Sequence, residues 1–166
     1  MKKTIYLALA TALALTAYAN ADIGGTLSVS ASVVASCEIN STASVVFGQI
    51  SAGVASAGNG SIGVRCTNAT TYNIALDKGG SAGTATQREM VPTSGSSLLS
   101  YALFKDPGLT QQWGDSDFAN TFTDGSSKSA TGSGLDQTHT VHGQVYPAFT
   151  DDIGDYTDSV VVTIIF

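Results

Sequence analysis

Residues 22–33 read Asp22-Ile23-Gly24-Gly25-Thr26-Leu27-Ser28-Val29-Ser30-Ala31-Ser32-Val33, and apolar and polar positions alternate along the run. Ile23, Gly25, Leu27, Val29, Ala31 and Val33 share one parity, while Asp22, Thr26, Ser28, Ser30 and Ser32 take the other. Successive side chains of a β-strand point to opposite faces, so this is the pattern of a half-buried strand. A second run of the same kind closes the chain, with Val160, Val162, Ile164 and Phe166 on one parity and Thr157, Ser159 and Thr163 on the other. No return strand follows it in the sequence. An apolar strand to spare at the front and an unfollowed strand at the back together predict subunits that complete one another by strand addition.

Upstream of the first run the residues divide as a secretory signal does: Lys2 and Lys3, an apolar stretch over 5–17, and small residues at Ala17, Ala19 and Ala21. Either Ala17-Tyr18-Ala19 or Ala19-Asn20-Ala21 fits the small-x-small cleavage rule, and the second makes Asp22 the first mature residue. The apolar stretch is shorter than the roughly 20 residues a spanning helix needs, so export and cleavage are expected and a membrane anchor is not. Cleavage after Ala21 removes 21 of the 166 residues, and the remaining 145 suit one domain with a sizeable core. Losing Lys2 and Lys3 moves the formal charge from −6 to −8 and leaves five basic residues, Arg65, Lys78, Arg88, Lys105 and Lys128, scattered singly. Nucleic acid is excluded as a partner on this balance, because phosphate binding needs clustered Lys and Arg, and a solvated acidic surface is expected.

Cys37 and Cys66 are the only cysteines of a chain read as leaving the cytoplasm, so an intrachain disulfide is expected. Cys66 follows Ile62 and Val64, and Cys37 continues the series of Val33 and Ala35, so both fall on inward parities and a bridge between neighbouring strands is predicted. Further alternating segments recur at 45–47, 61–66, 72–76, 99–103, 141–149 and 156–166. They are separated by turn signals such as Gly79-Gly80, Ser94-Gly95, Asp106-Pro107-Gly108 and Asp124-Gly125. With 18 glycines and no sustained helical period, the pattern predicts an all-β antiparallel sandwich. The Gly-, Ser- and Thr-rich stretches 79–87 and 124–134 have little to bury and read as exposed loops.

Little in the chain points to chemistry. His139 and His142, three apart on a strand, face opposite sides and chelate poorly, so no metal is expected there. Asp151, Asp152, Asp155 and Asp158 around Gly154 lack the ligand spacing and closing Glu of a calcium loop and read as a turn entering the last strand. No G-x-S-x-G elbow occurs, Lys78-Gly79-Gly80 lacks the spacing of a phosphate loop, and Asn68-Ala69-Thr70 is read as a chance sequon. Trp113, the single tryptophan, either caps the core or serves a subunit contact. No enzymatic activity, cofactor or small-molecule substrate is expected.

Several segments in order carry a resemblance over essentially the whole mature chain. They are the alternating extension before Cys37, Phe47-Gly48, Ile62-Gly63-Val64-Arg65-Cys66, Tyr72-Asn73-Ile74-Ala75-Leu76-Asp77, Arg88-Glu89-Met90, Leu99-Ser100-Tyr101-Ala102-Leu103 and Trp113-Gly114. Gly154-Asp155-Tyr156-Thr157-Asp158 and the terminal Val160 to Phe166 complete the set. Together these resemble the spore coat protein U family, which includes the main subunits of archaic chaperone-usher pili in Gram-negative bacteria. The resemblance implies an incomplete immunoglobulin-like sandwich lacking its final strand. It implies a periplasmic chaperone that fills the groove first, and an outer-membrane usher that exchanges it for the extension of the next subunit. The product is a surface homo-polymer used in attachment and biofilm formation. Carried onto this chain, the signal peptide covers 1–21, the donor-strand extension 22–35 and the pilin-like domain 36–166. The donor plugs are Ile23, Leu27, Val29, Ala31 and Val33, and the acceptor groove includes Val160, Val162, Ile164 and Phe166. Single-domain length favours a shaft subunit over a tip adhesin. The alternative is a self-contained secreted β-sandwich coat or ligand-binding module whose N-terminal strand folds back into its own domain.

Overall fold

A computed structural model describes residues 22–81 and 83–166. The expected signal peptide, 1–21, lies outside the described residues. The chain divides into two compact units, Met1–Ser32 and Val33–Phe166. In the first, residues 22–32 carry no regular secondary structure and are exposed. A strand needs a ladder partner, and among the described residues none pairs with this run, so its alternation is not expressed as β-structure here.

The second unit is antiparallel β-structure among its described residues. Its strands are β1 (Cys37–Ala43), β2 (Ser56–Cys66), β3 (Thr71–Leu76), β4 (Arg88–Pro92), β5 (Leu99–Phe104), β6 (Lys128–Thr131), β7 (Asp136–Val145), β8 (Tyr156–Thr157) and β9 (Val162–Ile165). Six of them form one sheet in the order β1-β2-β7-β5-β4-β8, and three form another in the order β6-β3-β9. The core fills the space between the two sheets. Parity decides which residues enter it: Ile62, Val64 and Cys66 from β2, Tyr72, Ile74 and Leu76 from β3, Leu99, Tyr101 and Leu103 from β5, and Val141 and Val145 from β7. Trp113 takes the core position, with no exposed surface, and its indole N–H donates to the Ile74 carbonyl at 2.8 Å.

Cys37 and Cys66 are directly opposite one another in the β1–β2 ladder and form a disulfide, as their parities predicted. The bridge closes a loop of 29 residues. In the chain-entropy account such a loop stabilises the fold by roughly 3 to 4 kcal/mol.

The structure departs from the sequence reading in five places. Residues 45–47 are not a strand, because no ladder partner lies beside them among the described residues. β7 begins at Asp136 and ends at Val145, earlier at both ends than the 141–149 run, because β2 supplies partners for Asp136 to Thr140. β6 falls inside the stretch read as a loop over 124–134; its polar sequence is recruited by pairing of Lys128 to Thr131 with Ile74 to Thr71. The run 156–166 is two strands in different sheets, β8 beside β4 and β9 beside β3. Arg88, one of the five basic residues read as scattered singly over a chain with a solvated acidic surface, is completely buried.

The break between β8 and β9 has a definite cause. The Asp158 carboxylate accepts the backbone N–H groups of Gly80 at 3.1 Å and Ser81 at 3.0 Å, and the Tyr101 hydroxyl donates to it. These bonds draw the chain out of one sheet and across to the other. Gly79, at φ 91°, is required here, since a Cβ would lie 2.1 Å from an Asp158 carboxylate oxygen. Asp77 completes the crossing by accepting the Val161 N–H at 2.9 Å.

Candidate functional site

β9 pairs with β3 from Asn73↔Ile165 to Leu76↔Val162, and its other edge has no strand among the described residues. β1 likewise pairs only with β2. Both free edges border the same opening in the sandwich, where a cavity of about 390 Å³ reaches down to the core. Ala43, Val45 and Phe47 form its wall on the β1 side, and Val160 and Val162 form the wall on the β9 side. Ile62, Leu76, Met90, Leu103 and Val141, all core residues, form its floor. Tyr101, Tyr156, Thr157 and Asp158 also line it and bring the polar groups. A long apolar floor flanked by a bare strand edge suits an extended chain whose alternate side chains are apolar.

The other two outer strands offer much less. β8 has only two residues, and β6, four residues long like β9, reads Lys128-Ser129-Ala130-Thr131 where β9 reads Val162-Thr163-Ile164-Ile165. Short and charged edges are poor templates for pairing. The β1–β9 opening thus combines a bare strand edge with an apolar floor.

Beneath the polar lining sits a buried cluster that the sequence reading missed. Arg88 pairs with Tyr101 in the β4–β5 register, and its Nε donates to the Asp77 carbonyl at 2.8 Å. Its Nη2 donates to the carbonyls of Leu76 at 3.0 Å and Asp77 at 2.6 Å, and the guanidinium lies 3.9 Å above the centre of the Phe122 ring. Burial lowers the Arg88 pKa to about 10, against the opposing pull of Tyr101, Asp77, Asp115 and Asp158. Burial, followed by the bond to Asp158, holds the Tyr101 phenol well above its usual value. The cluster thus ties β4, β5, the end of β3 and the crossing into β9 together. The available signal was parity: Arg88 shares a face with Met90, whose side chain is in the core.

Of the residues assigned to an acceptor groove from sequence, Val160 and Val162 line the cavity. Ile164 is half-buried against the core but does not line the cavity, and Phe166 lies just past β9 with 59% of its surface exposed. The assigned donor residues Ile23, Leu27, Val29 and Val33 are 96%, 88%, 87% and 87% exposed, and Ala31 is exposed as well. His139 and His142 are not brought together: His139 Nε2 is bonded to the Tyr72 hydroxyl at 2.8 Å and His142 Nδ1 to Asn59 Oδ1 at 2.9 Å. Among the described residues no cluster of His, Cys, Asp and Glu forms a metal site.

The chain belongs to the Spore Coat Protein U domain family, whose model matches residues 23–163. It is similar to a chain of the CsuC–CsuE chaperone–tip adhesion subunit pre-assembly complex from the archaic chaperone-usher Csu pili of Acinetobacter baumannii. The two share 25% identity at a TM-score of 0.56, over 81% of this chain and 40% of that one. This chain therefore spans less than half the length of the one it matches. No curated protein sequence is a significant match.

Proposed function

We propose that this protein is a non-enzymatic structural subunit of an archaic chaperone-usher pilus that polymerises head-to-tail by donor-strand complementation. The observation that carries this reading is the opening between β1 and β9, where the core lies uncovered beside an unpaired strand edge. Family membership and the likeness to a pilus pre-assembly complex support it. In this reading the extension over 22–35 of one subunit enters the groove of the next, with Ile23, Leu27, Val29, Ala31 and Val33 facing the core. Burying a Leu, Ile or Val contributes roughly 1.5 to 3 kcal/mol each. Ladder bonds to β9 add about 0.5 to 1.5 kcal/mol apiece. These gains form together, so release of a seated extension is slow.

Donor and acceptor are different surfaces of one chain, and such contacts propagate into open filaments. Before assembly the exposed floor needs a cover, which is the work of a periplasmic chaperone, and an outer-membrane usher makes the exchange. Export through the periplasm, a place on the cell surface and a part in attachment and biofilm formation follow from that assembly route.

Deleting residues 22–31 behind an intact signal tests the reading. The expected result is loss of polymer with a chaperone-bound monomer retained. Polymers of normal length from this variant would refute it, and a deleted chain that is soluble, monomeric and heat-resistant on its own would favour the self-contained module.

A further inference from the structure

The groove wall on the β1 side rests on a bed of glycines. In the β2–β7 ladder Gly58 lies opposite Gly143 and Gly60 opposite Val141, and all three glycines fall on the parity that faces the core. Residues 44–47 lie directly on them. A Cβ at Gly58 would be 2.5 Å from the Val46 carbonyl oxygen, and one at Gly60 would be 2.5 Å from the Ala43 carbonyl oxygen. At Gly143 a Cβ would be 2.6 Å from Val45 Cγ1 and 2.9 Å from Phe47 Cζ. Real side-chain carbons do not approach so closely, so a substitution at Gly58 or Gly60 displaces the backbone of the segment and one at Gly143 displaces the side chains of Val45 and Phe47.

Residues 44–47 keep a strand's alternation, with Val45 and Phe47 half-buried against the core and Ser44 and Val46 exposed. Yet among the described residues no hydrogen bond, backbone or side-chain, holds them. Packing on the glycines and against the neighbouring core fixes their position. Val45 and Phe47 also line the cavity, so the height of this segment above the bed sets the width of the opening.

We infer that Gly58, Gly60 and Gly143 are positioning residues for strand acceptance: their missing side chains seat the segment 44–47 low enough to leave room for a donor. This rests on the proposed function and adds to it a determinant outside the residues that touch the donor. Gly143→Ala is the cleanest probe, because its clash is with the side chains of Val45 and Phe47 alone and is relieved by Val45→Ala together with Phe47→Leu.

The test uses the full mature chain in its complex with the periplasmic chaperone, its own donor blocked by Leu27→Asp and Val29→Asp, and a fluorescent peptide of residues 22–35 as the probe. Uptake is followed by anisotropy and by comigration on a gel without heating, with an intact Cys37–Cys66 bridge checked by thiol labelling. The blocked parent takes up the peptide; if it does not, the proposed function fails. Gly143→Ala takes it up about tenfold more slowly or worse, and adding Val45→Ala with Phe47→Leu restores the rate to within about threefold of the parent. Uptake by Gly143→Ala at the parent's rate overturns the inference, as does failure of the paired Val45→Ala and Phe47→Leu to rescue it, since a general loss of fold would not be repaired by removing more packing. Should Gly143→Ala not fold, Gly60→Ala decides in its place, since its Cβ would meet the Ala43 carbonyl oxygen and the Val45 nitrogen: uptake about tenfold slower supports the inference, and uptake at the parent's rate overturns it.

Discussion

Replacing Leu27 by Asp separates strand insertion from every reading in which the extension is a passive tail. Leu27 is 88% exposed, so nearly all of its side-chain surface is available for burial in a neighbour. Seating it contributes roughly 1.5 to 3 kcal/mol. An aspartate in its place loses that gain and carries a carboxylate onto a floor of Ile62, Leu76, Met90, Leu103 and Val141, none of which can hydrogen-bond to it. Desolvating a polar group without a partner costs a further 2 kcal/mol at least, on the order of mutational measurements. The combined penalty of about 4 kcal/mol corresponds to about a thousandfold loss in donor occupancy. Ser28→Asp is the matched control, with the same charge one residue along on the opposite parity. Polymer is read as a ladder of bands resistant to detergent at room temperature, in cells or from purified chaperone complexes. Leu27→Asp should abolish the ladder and Ser28→Asp should leave it intact. Equal ladders from the two, whether both present or both absent, would refute the assignment of faces on which the groove argument depends.

Two further outcomes concern the domain itself. Arg88→Met removes three donated bonds from the carbonyls of Leu76 and Asp77 and leaves them buried. It should destabilise the chain by about 3 to 5 kcal/mol in urea titration followed by Trp113 fluorescence, and a loss below about 1 kcal/mol would show the cluster to be dispensable. Asp152 is held below the usual carboxylate range by the backbone N–H groups of Ser96 and Ser97, at 2.9 Å and 3.1 Å. A depressed folded pKa contributes stability that is complete above the unfolded value of about 3.9 and is lost as pH falls through the folded one. Asp152→Asn should therefore show a shallower decline in stability on acidification below about pH 4, and an unchanged slope would remove Asp152 from the account.

The parts of the fold that could be read from sequence are those where a strand's neighbours demand one apolar face. β3 was legible because Tyr72, Ile74 and Leu76 all enter the core, and the disulfide because Cys37 and Cys66 fall on inward positions of adjacent strands. β6 was not, since Lys128 to Thr131 have almost no apolar signal and become a strand only through β3. The crossing at Asp158 was hidden for a similar reason: its partners Gly80, Ser81 and Tyr101 lie 57 to 78 residues away. Residues 45–47 carry a strand's pattern without a strand's bonds. In the candidate site, Val160 and Val162 were accessible from parity. The floor and the glycine bed were not, because which strands lie opposite one another is a property of topology.

The position of the disulfide has a mechanical consequence. Any pull on the residues leading into the domain reaches Cys37, the first residue of β1, an edge strand paired on one side only. Such a strand would peel under tension one rung at a time. The covalent link to Cys66 diverts the force before the first rung opens, into an 11-residue strand anchored by partners on both flanks. Stretching is then shared with the β2–β7 ladder, the longest among the described residues, so a chemically reduced form should yield at lower force than an oxidised one.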